Sequence, residues 1–272
     1  MSKAADLRLR NSLSSQELSW FLPDECGDVS LQCFENPPVL SSPAGAGHVE
    51  ELAGLKTYIT GSPDSNLAVL LLADAFGFEA PKLRKFADRV ASAGFLVVVP
   101  DFFYGDAVDP EKRHELDRDA WLKSHSPDKG SEDAVRVIMA LKSKGVSAVG
   151  AAGFCWGGMT LAKLAGLDDL QAAVILHPGE IPKDDIRAIK IPTAILGAEH
   201  DHIFPAAELK KFEELLAAKS EVECYVKIFP GVAHGWSIRF KDEDEFALQS
   251  AEEAQQETLD WLVKHVKSQG KQ

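Results

Sequence analysis

Continuous apolar runs constrain this chain more than any other feature. The segments LAVLLLADAFG, FLVVVPDFF, VSAVGAAGF, LQAAVILHPG and IPTAILGAEHD each carry an unbroken apolar stretch. A strand with one wet face alternates apolar and polar residues. A strand that does not alternate is buried on both faces, as in a parallel sheet covered by helices. Helical patterns lie between the runs. APKLRKFADRVASAG repeats apolar residues at Leu83, Phe86, Ala87 and Val90 and ends on a glycine. SEDAVRVIMALKSKG and GGMTLAKLAG follow, then a segment from about Pro205 to Lys219 with proline suited to a first turn. LKTYITG and VECYVKIFPG read as further strands, and a last amphipathic helix runs through Leu259, Leu262, Val263 and Val266. The alternation predicts an α/β fold, a doubly wound and mainly parallel sheet with helices on both faces.

The first forty or so residues are polar and irregular, and NPPVLSSPAGAG reads as a linker or unpaired arm. Residues 1–45 are therefore expected to form an irregular arm and 46–272 one α/β domain. The segment from Gly105 to Gly130 is charged and weakly periodic and follows the C-terminal end of a strand. Loops there line the ligand crevice of open α/β sheets, so it reads either as a lid or as surface decoration.

A net charge of −13 argues against partners that are nucleic acids or anionic membranes. No apolar run approaches the roughly 20 residues a bilayer requires. The opening MSKAADLRLRNSLSSQELSW has no apolar core, so a secretory signal is not expected. The four cysteines, Cys26, Cys33, Cys155 and Cys224, show no CxxC pair and no metal-ligand spacing. Reduced thiols in a cytoplasmic protein, with neither metal nor organic cofactor, are the simplest expectation.

Gly153-Phe154-Cys155-Trp156-Gly157 has the G-x-nucleophile-x-G form, with cysteine where serine is more usual. Such a nucleophile sits on a tight strand-to-helix turn, and side chains at the flanking glycines would strike neighbouring backbone. The helix that follows points its positive end at the sulfur, which favours a thiolate and a developing oxyanion. A small buried apolar residue is the other reading of a free cysteine. Chain order weighs between them. Asp201 follows the strand TAILG and His234 follows YVKIFPG, giving the order nucleophile, acid, histidine of the α/β-hydrolase layout. His200 and His202 flank Asp201, but H-x-H without a third ligand reads as loop surface. His177 ends a strand and reads either as pocket rim or as a satisfied hydrogen-bonding group, and His114, His125 and His265 read as solvated.

Taken together, GAAGFCWGG, LLLADAFGFEAPKLRKFADRVASAGF, VVVPDFFYGD and FPGVAHGWSIRF resemble the dienelactone hydrolase family, particularly its plant-type members, from about Asn36 to the C-terminus. The resemblance implies an α/β-hydrolase fold and a triad of Cys155, His234 and Asp201. It implies an oxyanion hole formed by the backbone N–H groups of Ala75 and Trp156. It also implies that the acidic residue before FG contacts the resting thiol; here that residue is Asp74, one methylene shorter than the glutamate of bacterial members. Those members hold a substrate carboxylate with two arginines. Arg239 matches one of them, whereas PDFFYGD offers Tyr104 and Gly105 where the other would stand, so a carboxylated dienelactone is not the expected substrate. Phe76, Phe78, Tyr104, Trp156 and Trp236 read either as an aromatic-lined pocket or as core.

The expected activity is hydrolysis of a small-molecule lactone, ester or thioester through an acyl-cysteine, by a monomer or homodimer. One alternative is a small-molecule binding protein that keeps the pocket without turnover. Another is a polysaccharide-linked role, because some plant relatives bear the name endo-1,3;1,4-β-glucanase. A thiol-redox role lacks a resolving cysteine close in sequence to Cys155.

Overall fold

The computed structural model describes residues 33–40 and 44–268. Eight strands form one sheet in the order β1-β2-β4-β3-β5-β6-β7-β8. Here β1 is His48–Leu52, β2 Leu55–Thr60, β3 Leu67–Leu72, β4 Leu96–Pro100, β5 Ala148–Phe154, β6 Ala172–Leu176, β7 Thr193–His200 and β8 Cys224–Ala233. From β4 to β8 every pairing is parallel, while β1 and β2 make an antiparallel hairpin that pairs with β4.

The unbroken apolar runs are explained by two cores. Leu70 and Leu72 of β3 face one layer, formed by the helices α3 (Pro127–Ser143), α4 (Trp156–Leu164), α5 (Lys183–Ala188) and α6 (Ala206–Ala217). Val69 and Leu71 face the other, formed by α1 (Pro81–Ala91) and α7 (Glu245–Val266). A strand sandwiched in this way has no wet face and no polar alternation.

Three short elements have no clear signal in the sequence. Four of the five residues of β1 are exposed, so it lacks an apolar stripe. The other two are α5 and a helix of about two turns, α2 (Arg118–Ser124), within the charged segment. Helix α3 begins at Pro127, earlier than its periodicity suggests, because the Ser126 side chain accepts a hydrogen bond from Lys129 N. Among the described residues no helix is long and apolar enough to cross a membrane.

Candidate active site

The C-terminal ends of β3, β5, β7 and β8 lie on one edge of the sheet, and each is followed by a residue that the sequence singles out. Cys155 directly follows β5 at φ 51° and ψ −107°, a conformation that side chains other than glycine rarely adopt. The turn is held from both sides: Cys155 N donates to Leu176 O at 3.1 Å, and Cys155 O accepts from Gly158 N and Met159 N. Both flanking glycines are required by space. A Cβ on Gly153 would lie under 3.0 Å from the carbonyl of Gly157, and one on Gly157 equally close to the carbonyl of Leu72. These obstacles are backbone and cannot rotate away. Helix α4 starts at Trp156 and directs its N-terminus toward the sulfur.

Asp201 follows β7 and His234 follows β8, both almost fully buried. Nδ1 of His234 and Oδ2 of Asp201 lie 2.8 Å apart. The other oxygen of Asp201 accepts from the backbone N–H groups of Ile203 and Phe204 at 2.9 and 3.0 Å. The carboxylate is thereby fixed in place. With Nδ1 taken, Nε2 is the ring nitrogen left for the thiols.

Two thiols stand there. The sulfurs of Cys33 and Cys155 and a ring nitrogen of His234 all lie within 4.8 Å of one another. Cys33 comes from the segment read as an irregular arm, yet it is buried, as is its neighbour Phe34. Arg239 anchors this segment, donating from Nη1 to the carbonyls of Cys33 at 2.7 Å and Glu35 at 2.9 Å. Phe34 packs edge-on against Phe76, ring centres 6.3 Å apart. Residues 33–34 thus form a turn inside the core, whereas residues 1–32 of the expected arm lie outside the described residues. A one-turn segment has no periodicity, so its docking leaves no pattern in the sequence beyond an apolar Cys-Phe pair in polar surroundings.

The charges in this buried cluster are interdependent. A hydrogen bond from Cys155 lowers the pKa of Cys33; burial opposes it, His234 reinforces it, and the result is about 4. Cys155 is pushed up by the same hydrogen bond, by burial and by the charge on Cys33. One negative charge is thus shared by two sulfurs, and the second ionisation is suppressed. Burial pulls His234 down, but the hydrogen bonds and charges of Asp201 and Cys33 outweigh it and lift the imidazole to about 9. Beside it, burial and the charges of His234 and Arg239 hold His177 well below its ordinary value; its Nε2 lies 2.8 Å from Ser237 Oγ. His177 is the hydrogen-bonded support behind His234, 5.2 Å ring to ring, rather than a pocket rim.

Asp74 lies next to Arg239, with 3.3 Å between its Oδ2 and Nε, and its Oδ1 accepts from Phe76 N. Burial raises its pKa against the pull of Arg239. Arg239, expected to face a substrate carboxylate, is thus committed to Asp74 and to the Cys33 segment. Tyr104 turns outward at φ 56°, 53% exposed, with its hydroxyl donating to Asp133 at 2.7 Å, so it does not line the cavity at Cys155. Trp236 packs on Phe229 and His177, again away from that cavity.

The cavity beside Cys155 is about 20 Å³, little more than one water needs. Ala75, Trp156, Phe34, Trp121, Leu122 and Arg118 line it. The last three come from the 105–130 segment, which covers the site instead of decorating the surface. His125 is not solvated but packs on Trp121 and Phe103, while its carbonyl accepts from Trp156 Nε1 at 2.7 Å. Arg118 brings a cation that no motif in the sequence indicates, because α2 is too short to show a periodic face.

The model of the dienelactone hydrolase family matches residues 55–266. A Zea mays protein named endo-1,3;1,4-beta-D-glucanase is 41% identical over 201 residues, 72% of this chain. That match spans 65% of the maize protein's own length, just under two thirds. A Mus musculus carboxymethylenebutenolidase homolog is 30% identical over 226 residues, 82% of this chain and 92% of its own. Among solved structures, a putative dienelactone hydrolase from Klebsiella pneumoniae superposes with a TM-score of 0.63 at 18% identity, covering 78% of this chain and 93% of that one. A thermophilic esterase from Thermogutta terrifontis gives 0.58 at 18% identity, covering 84% and 96%. At such identities the two structures speak for the fold.

Proposed function

The chain belongs to the dienelactone hydrolase family, a family of hydrolases acting on ester bonds, and on that premise we propose that it cleaves a small-molecule ester, lactone or thioester through an acyl-enzyme on Cys155. The observation that carries this reading is the buried His234–Asp201 pair, 2.8 Å apart, set beside a cysteine on a strained strand-to-helix turn. Asp201 holds the proton on Nδ1 of His234, and Nε2 carries the proton that the thiol pair has given up, so that the one negative charge the two sulfurs share can reside on Cys155. The Cys155 sulfur attacks the carbonyl carbon. Backbone N–H groups of Ala75 and Trp156, both at the cavity, receive the oxyanion, the second with the help of the α4 terminus. His234 protonates the leaving alcohol and then activates the water that releases the acid.

The cavity in its present form cannot hold an acyl group, so substrate entry displaces Phe34 or the α2 cover. With Arg239 engaged elsewhere, Arg118 is the cation available to an anionic substrate tail. The geometry favours ester chemistry over glycoside cleavage. Glycosidases use two carboxylates about 5–9.5 Å apart across the sugar bond, whereas Asp201 is taken by His234 and Asp74 by Arg239.

The test is steady-state hydrolysis of short p-nitrophenyl esters and enol-lactones, with trapping of the acyl-enzyme by intact mass. Turnover that Cys155→Ala abolishes, with an acyl adduct mapped to Cys155, is the expected result. Equal activity in Cys155→Ala would remove the assignment. Stoichiometric labelling without release would favour the binding-protein reading, and sugar release from mixed-linkage β-glucan would favour the glucanase reading.

A further inference from the structure

Cys33 is not the nucleophile of the reaction just described, yet it places a second buried thiol against the first. We propose that a small peroxide converts Cys33 and Cys155 into a reversible disulfide that switches the hydrolase off and shields Cys155 from irreversible oxidation.

Three observations carry this. The sulfurs lie within 4.8 Å of each other and of a His234 ring nitrogen. A disulfide needs about 2.05 Å, so one sulfur must travel a little under 3 Å at most. The segment that carries Cys33 can supply that movement. It belongs to no helix of the sheet layers and to no strand, and is held by the Arg239 hydrogen bonds and the packing of Phe34. Finally, a space of about 20 Å³ adjoins both sulfurs. That space admits an oxidant near the size of water without displacement of Phe34 or α2.

The chemistry balances. A thiolate at one sulfur attacks a peroxide oxygen; the O–O bond breaks, hydroxide leaves, and a sulfenic acid forms. The second sulfur attacks that sulfenic acid; the S–O bond breaks, water leaves, and the S–S bond forms. Two thiols lose two electrons and two protons, and one peroxide becomes two waters. The product is the same whichever sulfur is oxidised first. The bond consumes the nucleophile and ties Phe34 over the cavity. No resolving cysteine near Cys155 in sequence is required, because the fold supplies one from the N-terminal segment.

The experiment uses the full reduced chain treated with hydrogen peroxide, alkylated, digested without reductant and mapped by mass spectrometry. The expected result is a peptide pair joining Cys33 to Cys155, an intact mass lower by about 2 Da, and loss of ester hydrolysis, all reversed by dithiothreitol. In Cys33→Ser the same dose adds two or three oxygens to Cys155, and dithiothreitol restores nothing. Oxidised Cys155 beside a free Cys33 in the wild type, or a link from Cys26 instead, would overturn the proposal. The cross-link is read by mass in the wild type, so it stands or falls separately from the assignment of Cys155 as nucleophile and from the folding of the variant.

Discussion

Replacing Asp201 by asparagine tests the proposed machinery at the point where the structure predicts the outcome most sharply. Oδ1 of Asp201 accepts two backbone hydrogen bonds, from Ile203 and Phe204, while Oδ2 faces His234 Nδ1 at 2.8 Å. An asparagine must put its carbonyl where two N–H groups already point. Its NH2 then faces Nδ1 and demands an acceptor there. The neutral imidazole is driven to the tautomer with its proton on Nε2, which cannot take a proton from the thiol. Shape and backbone hydrogen bonds are retained, so the fold persists while the base is lost. A wrong tautomer in a triad costs on the order of 10³–10⁴ in kcat/KM, or about 4–5.5 kcal/mol of transition-state stabilisation. The assay is p-nitrophenyl ester hydrolysis at pH 7, with circular dichroism melting to confirm the fold. A folded Asp201→Asn enzyme within about tenfold of wild type would refute the reasoning, since Asp201 could not then be setting the tautomer.

Stability against pH should report the shared charge. A histidine raised to about 9 stabilises the fold below its ordinary 6.5, an effect lost as pH rises through 9. A thiol lowered to about 4 stabilises above its ordinary 9, and that is lost as pH falls through 4. Across pH 4–9 the folded His234–Cys33 pair holds one proton; the unfolded chain holds two below 6.5 and one above. The contribution of the pair therefore rises by about 3 kcal/mol from pH 4 to 6.5 and is then level to 9. Cys33→Ser leaves the histidine alone, so its stability declines above pH 6.5. Urea midpoints at pH 5, 7 and 9 check this, and a wild type that declines as steeply as the variant counts against it. Arg239→Met strands the buried Asp74 carboxylate and two carbonyls, and should cost about 3–5 kcal/mol at neutral pH. Because burial already raises Asp74, the cost is present above the folded pKa of that group and shrinks as pH falls through it. Denaturation at pH 5 and 8 measures the difference; a loss under about 1 kcal/mol at both would show that the ion pair does not hold the site.

Much of this architecture is written locally. Strands buried on both faces must be continuously apolar, so the runs at Leu67–Leu72 and Ala148–Phe154 announce a covered parallel sheet. The elbow is legible because its glycines answer to backbone that lies within a few residues or on the next strand. The order Cys155, Asp201, His234 is legible because each residue ends a recognisable strand.

What the sequence by itself determined is therefore the sheet, its two covered faces and the edge at which the candidate triad residues gather, since periodicity and turn geometry are properties of short stretches. Only the tertiary structure decided what surrounds them. It spends Arg239 on Asp74 and the N-terminal segment, turns Tyr104 outward, brings Arg118 and Trp121 over the cavity, and sets Cys33 against Cys155. Those contacts join single residues from distant segments, each without a repeating pattern, and a lone side chain's partner is fixed by the packing of the whole chain rather than by its neighbours in sequence.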